Sequence, residues 1–295
     1  MKALHGRVAV ITGAAGGIGL AMARQFAREG MKLVLADIEP GPLARALDAL
    51  RAEGAQVIGV PVDVAAEASV NALADAAYAE YGAVHVLCNN AGVAVPGLTS
   101  TDWQAPLSDW HWVLNVNLMG VVHGVRAFLP RMQAGGDEGH IINTASVAGL
   151  LTAASPYHVS KHGVTCITEG LYKDLKRAAS KLSASVLCPG LIRTDIMNAE
   201  RNRPAEFGPA TPIDQRPQSI QKSVQDFARA LESGYDPSQV ADAVVHAIRA
   251  DRFYVIPAQP ALLELIELRM QDIVAQRNPS LPKPPQWLTP PADPS

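Results

Sequence analysis

Charge is scarce in this 295-residue chain: 18% of residues carry it, with 25 Lys plus Arg against 28 Asp plus Glu and a net charge of −3. No basic block stands out, so a nucleic-acid surface has no support. Cysteine is scarcer still. Cys88, Cys166 and Cys188 are odd in number, far apart and form no CxxC pair. That argues against a disulfide framework or a structural zinc site, fits a reducing cytoplasm, and casts all three as small buried hydrophobes. Long apolar runs are missing too. The uncharged stretch 8–23 follows Lys2 and Arg7 like a signal peptide but is broken by Gly13, Gly16, Gly17 and Gly19, and is too short to span a bilayer. No repeat of solenoid period occurs. What remains is an apolar content of 48%, which excludes wholesale disorder and can supply a large core.

Short apolar runs alternate with helical patterns. Strands are expected at 8–12, 32–36, 56–61, 84–88, 140–144, 185–188 and 253–256, and helices at 18–29, 42–53, 66–81, 108–132, 156–178, 237–250 and 261–276. Ser108 is the expected N-cap of the fifth-strand-preceding helix. This pattern predicts an α/β fold: one doubly wound Rossmann domain over 1–276, with a mostly parallel seven-stranded sheet covered on both faces. The polar, Pro-containing stretch 191–235 interrupts the alternation above the strand ends and reads as a substrate lid. Seven of the 22 prolines fall between Pro279 and Pro294, so 277–295 reads as an extended tail.

Thr12-Gly13-Ala14-Ala15-Gly16-Gly17-Ile18-Gly19 joins the first strand to the first helix. Glycines there permit a tight turn and close approach of a pyrophosphate to the helix N-terminus. Asp37 lies 18 residues beyond Gly19 at the end of the second strand, where a carboxylate accepts a ribose 2′-hydroxyl and repels a 2′-phosphate. With Gly16 and Ile38 as its non-basic neighbours in the motif, NAD(H) is preferred over NADP(H). Tyr157 and Lys161, four apart on a helix, share one face. An ammonium beside a phenol favours the phenolate, which suits proton transfer coupled to hydride transfer.

In order along the chain stand the glycine turn, Asp63, Asn90-Ala91-Gly92, Asn117, Ser146, Tyr157 with Lys161, and Pro189-Gly190 before Thr194. Over residues 5–257 this constellation resembles the short-chain dehydrogenase/reductase family. The resemblance implies Tyr157 as general acid/base, Lys161 as the group that lowers its pKa and holds the nicotinamide ribose, and Ser146 as donor to the substrate oxygen. It implies that Asn117, chosen over Asn115 because it precedes Leu118-Met119-Gly120, holds a proton-relay water. Gly13, Gly17, Ile18 and Gly19 would seat the pyrophosphate, Asp63 and Val64 the adenine, and Pro189, Gly190, Ile192 and Thr194 the carboxamide end. Asn90, with Ala91 and Gly92, would brace the central strands. No metal is required, and His158 and His162 are given packing or solvent-facing roles. Homodimers or homotetramers through the two long helices, and a small-molecule alcohol or ketone as substrate, follow from the same resemblance. The stretch 199–208, with Tyr254-Val255-Ile256-Pro257 and the last helix, looks like the subgroup containing lignin Cα-dehydrogenases and other oxidoreductases of bulky secondary alcohols. Trp103, Leu150, Leu151 and Met197 are candidates for an apolar pocket, and Arg201 and Arg203 are read as solvated lid charges. Two other readings compete: an NADPH-dependent carbonyl reductase, and a redox-silent dinucleotide sensor, which the intact Ser, Tyr and Lys disfavour.

Overall fold

A computed structural model of the chain describes residues 1–95, 105–209, 212–216 and 218–281. Among these residues, seven strands form one parallel sheet in the order β3-β2-β1-β4-β5-β6-β7. They are β1 (Val8–Thr12), β2 (Lys32–Asp37), β3 (Val57–Pro61), β4 (Val86–Asn89), β5 (Gly139–Thr144), β6 (Leu182–Leu187) and β7 (Tyr254–Val255). The strands are apolar along their length because both faces are covered. On β1, Ala9 and Ile11 pack with α1 (Gly17–Arg28), α2 (Pro40–Ala52) and α8 (Pro237–Ala250). Val8 and Val10 pack the opposite way, with α3 (Glu67–Tyr81), α5 (Gly120–Gly135) and α6 (Pro156–Arg177). The strand order reverses between β1 and β4, and such a switch point opens a crevice at the carboxyl edge.

Three expectations need correction. The helix expected at 108–132 runs from α4 (Leu107–Leu114) through a π-turn (Asn115–Met119) into α5, and it starts after Pro106. Ser108 does not cap it; its hydroxyl accepts a hydrogen bond from Arg203 Nη2 at 3.2 Å. Among the described residues, 107–135 is the one helix long and apolar enough to cross a membrane, but it packs on α3, α6 and the sheet. The lid stretch 191–235 contains, besides short 3-10 turns, an amphipathic helix α7 (Gln218–Glu232). Finally, Cys88 and Cys188 are buried, whereas Cys166 faces outward from α6.

The last helix, α9 (Pro260–Val274), brings Leu262 over the carboxyl edge. The first tail residues turn back on it, where Ser280 N donates to Asp272 at 2.8 Å. The remainder of the Pro-rich tail lies outside the described residues.

Candidate active site

The crevice begins where β1 ends. Gly13 has φ +63°, and a Cβ there would come within 2.9 Å of Ala91 Cα, so only glycine lets the turn lie against the end of β4. Asn90 ties the neighbouring strands together: its Nδ2 donates to Thr12 O at 3.0 Å, and its Oδ1 accepts from Thr144 Oγ1 at 3.3 Å. Gly16 provides the N-cap position of α1 without a side-chain cap, and no acidic residue sits in the first turn. The first N–H groups of the helix thus present unneutralised partial positive charge to the crevice.

Asp37 ends β2 beside this turn. Its Oδ2 accepts from Ala15 N at 2.9 Å and its Oδ1 from Glu39 N at 3.0 Å, which fixes the carboxylate and leaves each oxygen a further lone pair. Asp63 Oδ1 accepts from Ala65 N at 2.9 Å, and Val64 packs below it against Gly120. The fold also brings two guanidiniums to this rim that sequence proximity could not show, Arg45 from α2 and Arg201 from the segment after β6. Arg201 is bound to Glu39 at 2.8 Å.

At the other end, Ser146 follows β5, and its Oγ accepts from Ala148 N at 3.1 Å. Ser155 caps α6, Pro156 starts it, and Tyr157 and Lys161 follow on its buried face. Lys161 Nζ donates to Thr144 O at 2.9 Å and stands 5.6 Å from the Tyr157 ring centroid. Burial strips water from the ammonium and lowers its pKa to about 8. Burial also raises the Tyr157 phenol above its ordinary value, with a hydrogen bond to Ser146 pulling the other way. The neighbouring ammonium is expected from the sequence to lower this pKa; in the protein alone desolvation outweighs it and favours the neutral phenol.

Asn117 sits on the π-turn, fully buried. Its Oδ1 accepts from Val93 N at 2.8 Å, and its two N–H donors go to Val93 O at 3.0 Å and Ser160 Oγ at 3.2 Å. Its side chain therefore braces the loop after β4, and Oδ1 keeps a second lone pair. Asn115, one turn-step away, faces the cavity. His158 also lines the cavity; burial lowers it to about 4, so it is neutral, and its Nδ1 meets Ser155 Oγ at 2.9 Å.

One cavity of about 880 Å³ joins both ends. Of the catalytic and cofactor residues expected from the sequence, all but Gly19 and Asn117 line it. Gly19 lies behind the turn, where a Cβ would strike Gly13 O at 2.1 Å. Among the four apolar candidates, Leu151 lines the cavity, Leu150 packs with Val164 and Val186, and Met197 packs beside Leu231. Trp103 lies outside the described residues. Trp112, Phe207, Phe227 and Leu262, not singled out in the sequence, line the cavity as well. The stripe Ile220, Phe227 and Leu231 was the available signal for Phe227, since those spacings keep one side of a helix.

Arg203 is not a solvated lid charge. Its side chain is 5% exposed, donates to Asp109 Oδ1 at 2.7 Å and to Gly208 O at 2.8 Å, and stacks 5.1 Å from the Trp112 ring. Asp109, 2% exposed, also faces Arg216 at 4.0 Å. Gln259, likewise unforeseen, makes a reciprocal pair with Leu191: it accepts from Leu191 N at 3.0 Å and donates to Leu191 O at 2.9 Å.

A crevice at the switch point, bordered by an open helix N-terminus and a fixed acidic residue, marks a doubly wound nucleotide-binding protein. The family model for short chain dehydrogenases matches residues 7–205, and the chain belongs to that family of oxidoreductases. A crystal structure of a short chain dehydrogenase/reductase from Burkholderia phymatum in complex with NAD superposes with a TM-score of 0.90 at 46% identity, covering 96% of this chain and 100% of that one. The CLA biosynthesis dehydrogenase/reductase of Lactiplantibacillus plantarum is 35% identical over 95% of this chain and 98% of its own length. The C alpha-dehydrogenase of Sphingobium sp. is 30% identical over 93% of this chain and 87% of its own.

Proposed function

We propose that this dehydrogenase/reductase uses NAD(H) to interconvert a bulky secondary alcohol and its ketone. The observation that carries the reading is a single cavity with the uncapped α1 N-terminus and Asp37 at one end and Ser146, Tyr157 and Lys161 at the other. The residues fit a dinucleotide: the turn at Gly13 and Gly17, with φ +63° and +51°, packs so closely on Ala91 and Thr194 that a Cβ has no room, and this brings the α1 N-terminus to the crevice. Pyrophosphate would lie on the first turn of α1, the adenosine ribose at Asp37, adenine by Asp63 and Val64, and the carboxamide near Ile192 and Thr194. When bound, nicotinamide supplies the hydride acceptor or donor. A fixed carboxylate at Asp37 disfavours a 2′-phosphate, and Glu39 occupies Arg201, which otherwise would offer such a phosphate a partner.

Tyr157 moves the proton at the substrate oxygen. As the neutral phenol that burial favours, it donates to a ketone oxygen as hydride arrives; alcohol oxidation requires it as phenolate. Ser146, which lines the cavity with Tyr157, donates to the same oxygen and stabilises charge developing there. Lys161 brings positive charge to the tyrosine, and Asn117 holds the strand-end loop on which both depend. The apolar wall of Trp112, Leu151, Ile196, Phe207, Phe227 and Leu262 favours a large hydrophobic substrate. Residues 191–235 act as its lid. Exposed Met119 and Val159, on the two long helices, support self-association as a dimer or tetramer.

The test is a screen of secondary alcohols, from small aliphatic to aryl and steroid-like, followed by reduced-nicotinamide absorbance with NAD and NADP in parallel. Turnover of bulky alcohols with NAD is expected. A strong preference for NADP overturns the cofactor reading, and turnover confined to small alcohols overturns the substrate class.

A further inference from the structure

Glu39 and Arg201 meet across the carboxyl edge of the sheet. Glu39 follows β2 directly, at the N-cap position of α2, and Arg201 belongs to the 3-10 segment Ile196–Asn202 after β6. Arg201 Nε donates to Glu39 Oε1 at 3.1 Å and Nη2 to Oε2 at 2.8 Å, a two-pronged fit. Nη1 donates to Asn198 O at 2.7 Å and faces Asp195 at 3.4 Å. Asp37, Arg45 and Asn202 complete the polar surroundings of the pair.

Sheet order gives this contact its meaning. β2 and β6 lie on opposite sides of the β1/β4 crevice, four strand spacings or roughly 19 Å apart. A segment that leaves β6 and is fastened at the end of β2 has to pass over the crevice. Ala199, Arg201, Asn202, Pro204 and Phe207 do line the cavity. Two residues beyond Arg201, Arg203 turns the other way into the buried Asp109 pair on α4. The two fastenings differ in kind. Arg201 and Glu39 are 37% and 23% exposed, against 5% and 2% for Arg203 and Asp109. An exposed pair separates readily and is weakened by salt, while a buried one, here also stacked on Trp112, stays closed.

We infer that residues 196–209 form a strap across the seated dinucleotide, clasped by Glu39–Arg201 and hinged at Asp109–Arg203, so that opening the clasp gates dinucleotide release. This rests on the dinucleotide-binding reading above. Glu39 and Arg201 are positioning residues: they hold the strap and have no part in proton or hydride transfer.

The test is stopped-flow release of NADH from the full-length protein, chased with excess NAD and read by nucleotide fluorescence, with no substrate present. Arg201→Gln and Glu39→Gln are each expected to speed release about fivefold, which is ~1 kcal/mol at 1.4 kcal/mol per decade. The double variant should be no faster than the faster single one, and Arg201→Lys should fall between wild type and Arg201→Gln. Added salt should speed wild-type release and leave the double variant unchanged. Wild-type release rates in both single variants, or additive effects in the double, overturn the clasp. A wild-type protein that takes up neither NADH nor NADPH is a different result, because it overturns the dinucleotide reading itself.

Discussion

Lys161 Nζ donates to Thr144 O at 2.9 Å while standing 5.6 Å from the centre of the Tyr157 ring. The ammonium is thus anchored to the end of β5 and aimed at the tyrosine from one helical turn away. Replacing Tyr157 with Phe keeps the packing and deletes the proton-transferring oxygen. Turnover of any accepted alcohol should fall about 10²- to 10⁴-fold, with the Kd for NADH close to wild type. Unchanged turnover refutes the mechanism.

The direction of the Tyr157 shift sets the pH dependence. Burial raises its pKa, so the phenol needed for ketone reduction persists through neutral pH. Initial rates of reduction should be level near neutrality and fall in alkali, while alcohol oxidation should climb with pH as the phenolate forms. Lys161, lowered to about 8, loses its charge in the same range and will bend both profiles there. Oxidation that is fastest in acid contradicts this assignment.

At the other end of the cavity, the proposed reading makes Asp37 the discriminating charge. Juxtaposing it with a 2′-phosphate costs several kcal/mol, so kcat/KM should favour NAD over NADP by about 10²-fold or more. Asp37→Asn retains a hydrogen-bonding oxygen without the charge and should shrink that ratio sharply. Parallel initial-rate measurements with both dinucleotides decide the matter.

Buried Asp109 carries Arg203 on one side and Arg216 on the other. Asp109→Asn removes the buried carboxylate that binds Arg203 at 2.7 Å, leaving Arg203 its longer 3.5 Å pairing with Glu200, and should cost about 3 kcal/mol in urea unfolding. The joint replacement Asp109→Leu with Arg203→Met removes charge from both sides and should recover much of that loss. A single variant as stable as wild type would sink this account.

His140 is buried on β5, with Nε2 2.7 Å from Ser185 Oγ. Burial lowers its pKa to about 4; Asp251 opposes that shift, and the amino terminus and Lys176 add to it. The unfolded chain takes up a proton near 6.5 that the folded protein refuses until about 4. Stability should therefore be full above pH 6.5 and decline as pH falls from 6.5 toward 4, by an amount of the order of 3 kcal/mol. His158, lowered to about 4 by its own burial, adds to the decline, so His140→Gln should reduce it in urea titrations at pH 7.5 and 5 without abolishing it.

Local pattern made the glycine turn, β1 to β5 and the Tyr157–Lys161 face legible, because each is encoded within a few residues of itself. β6 starts at Leu182 rather than 185 because Ser183 and Ser185 disguise a fully buried strand. Ser185 is satisfied by His140 and by Arg252 O at 2.7 Å, partners no local window contains. α7 is hidden by its polar majority, because a narrow apolar stripe inside a polar, Pro-containing stretch reads as loop. The roles of Arg201 and Arg203 depend on carboxylates more than ninety residues away, one on each side of the cavity. Charges on a lid look solvated until the surface beneath them is known.

The buried side of the 107–135 helix advances in steps of four through Asp109, Val113, Asn117 and Val121, longer than the 3.6-residue period, and then continues at Gly124, Phe128 and Met132. The widened turn absorbs a surplus residue, so the segments before and after it keep their facing. Shortening the chain by one residue within 115–119 would leave Trp112 and Phe128 pointing where they do now and remove only the bulge that carries Asn117. The same deletion a turn earlier or later would swing one half of the helix by about 100° against its neighbours. Tolerance to single-residue deletions along this stretch should therefore be confined to a five-residue window.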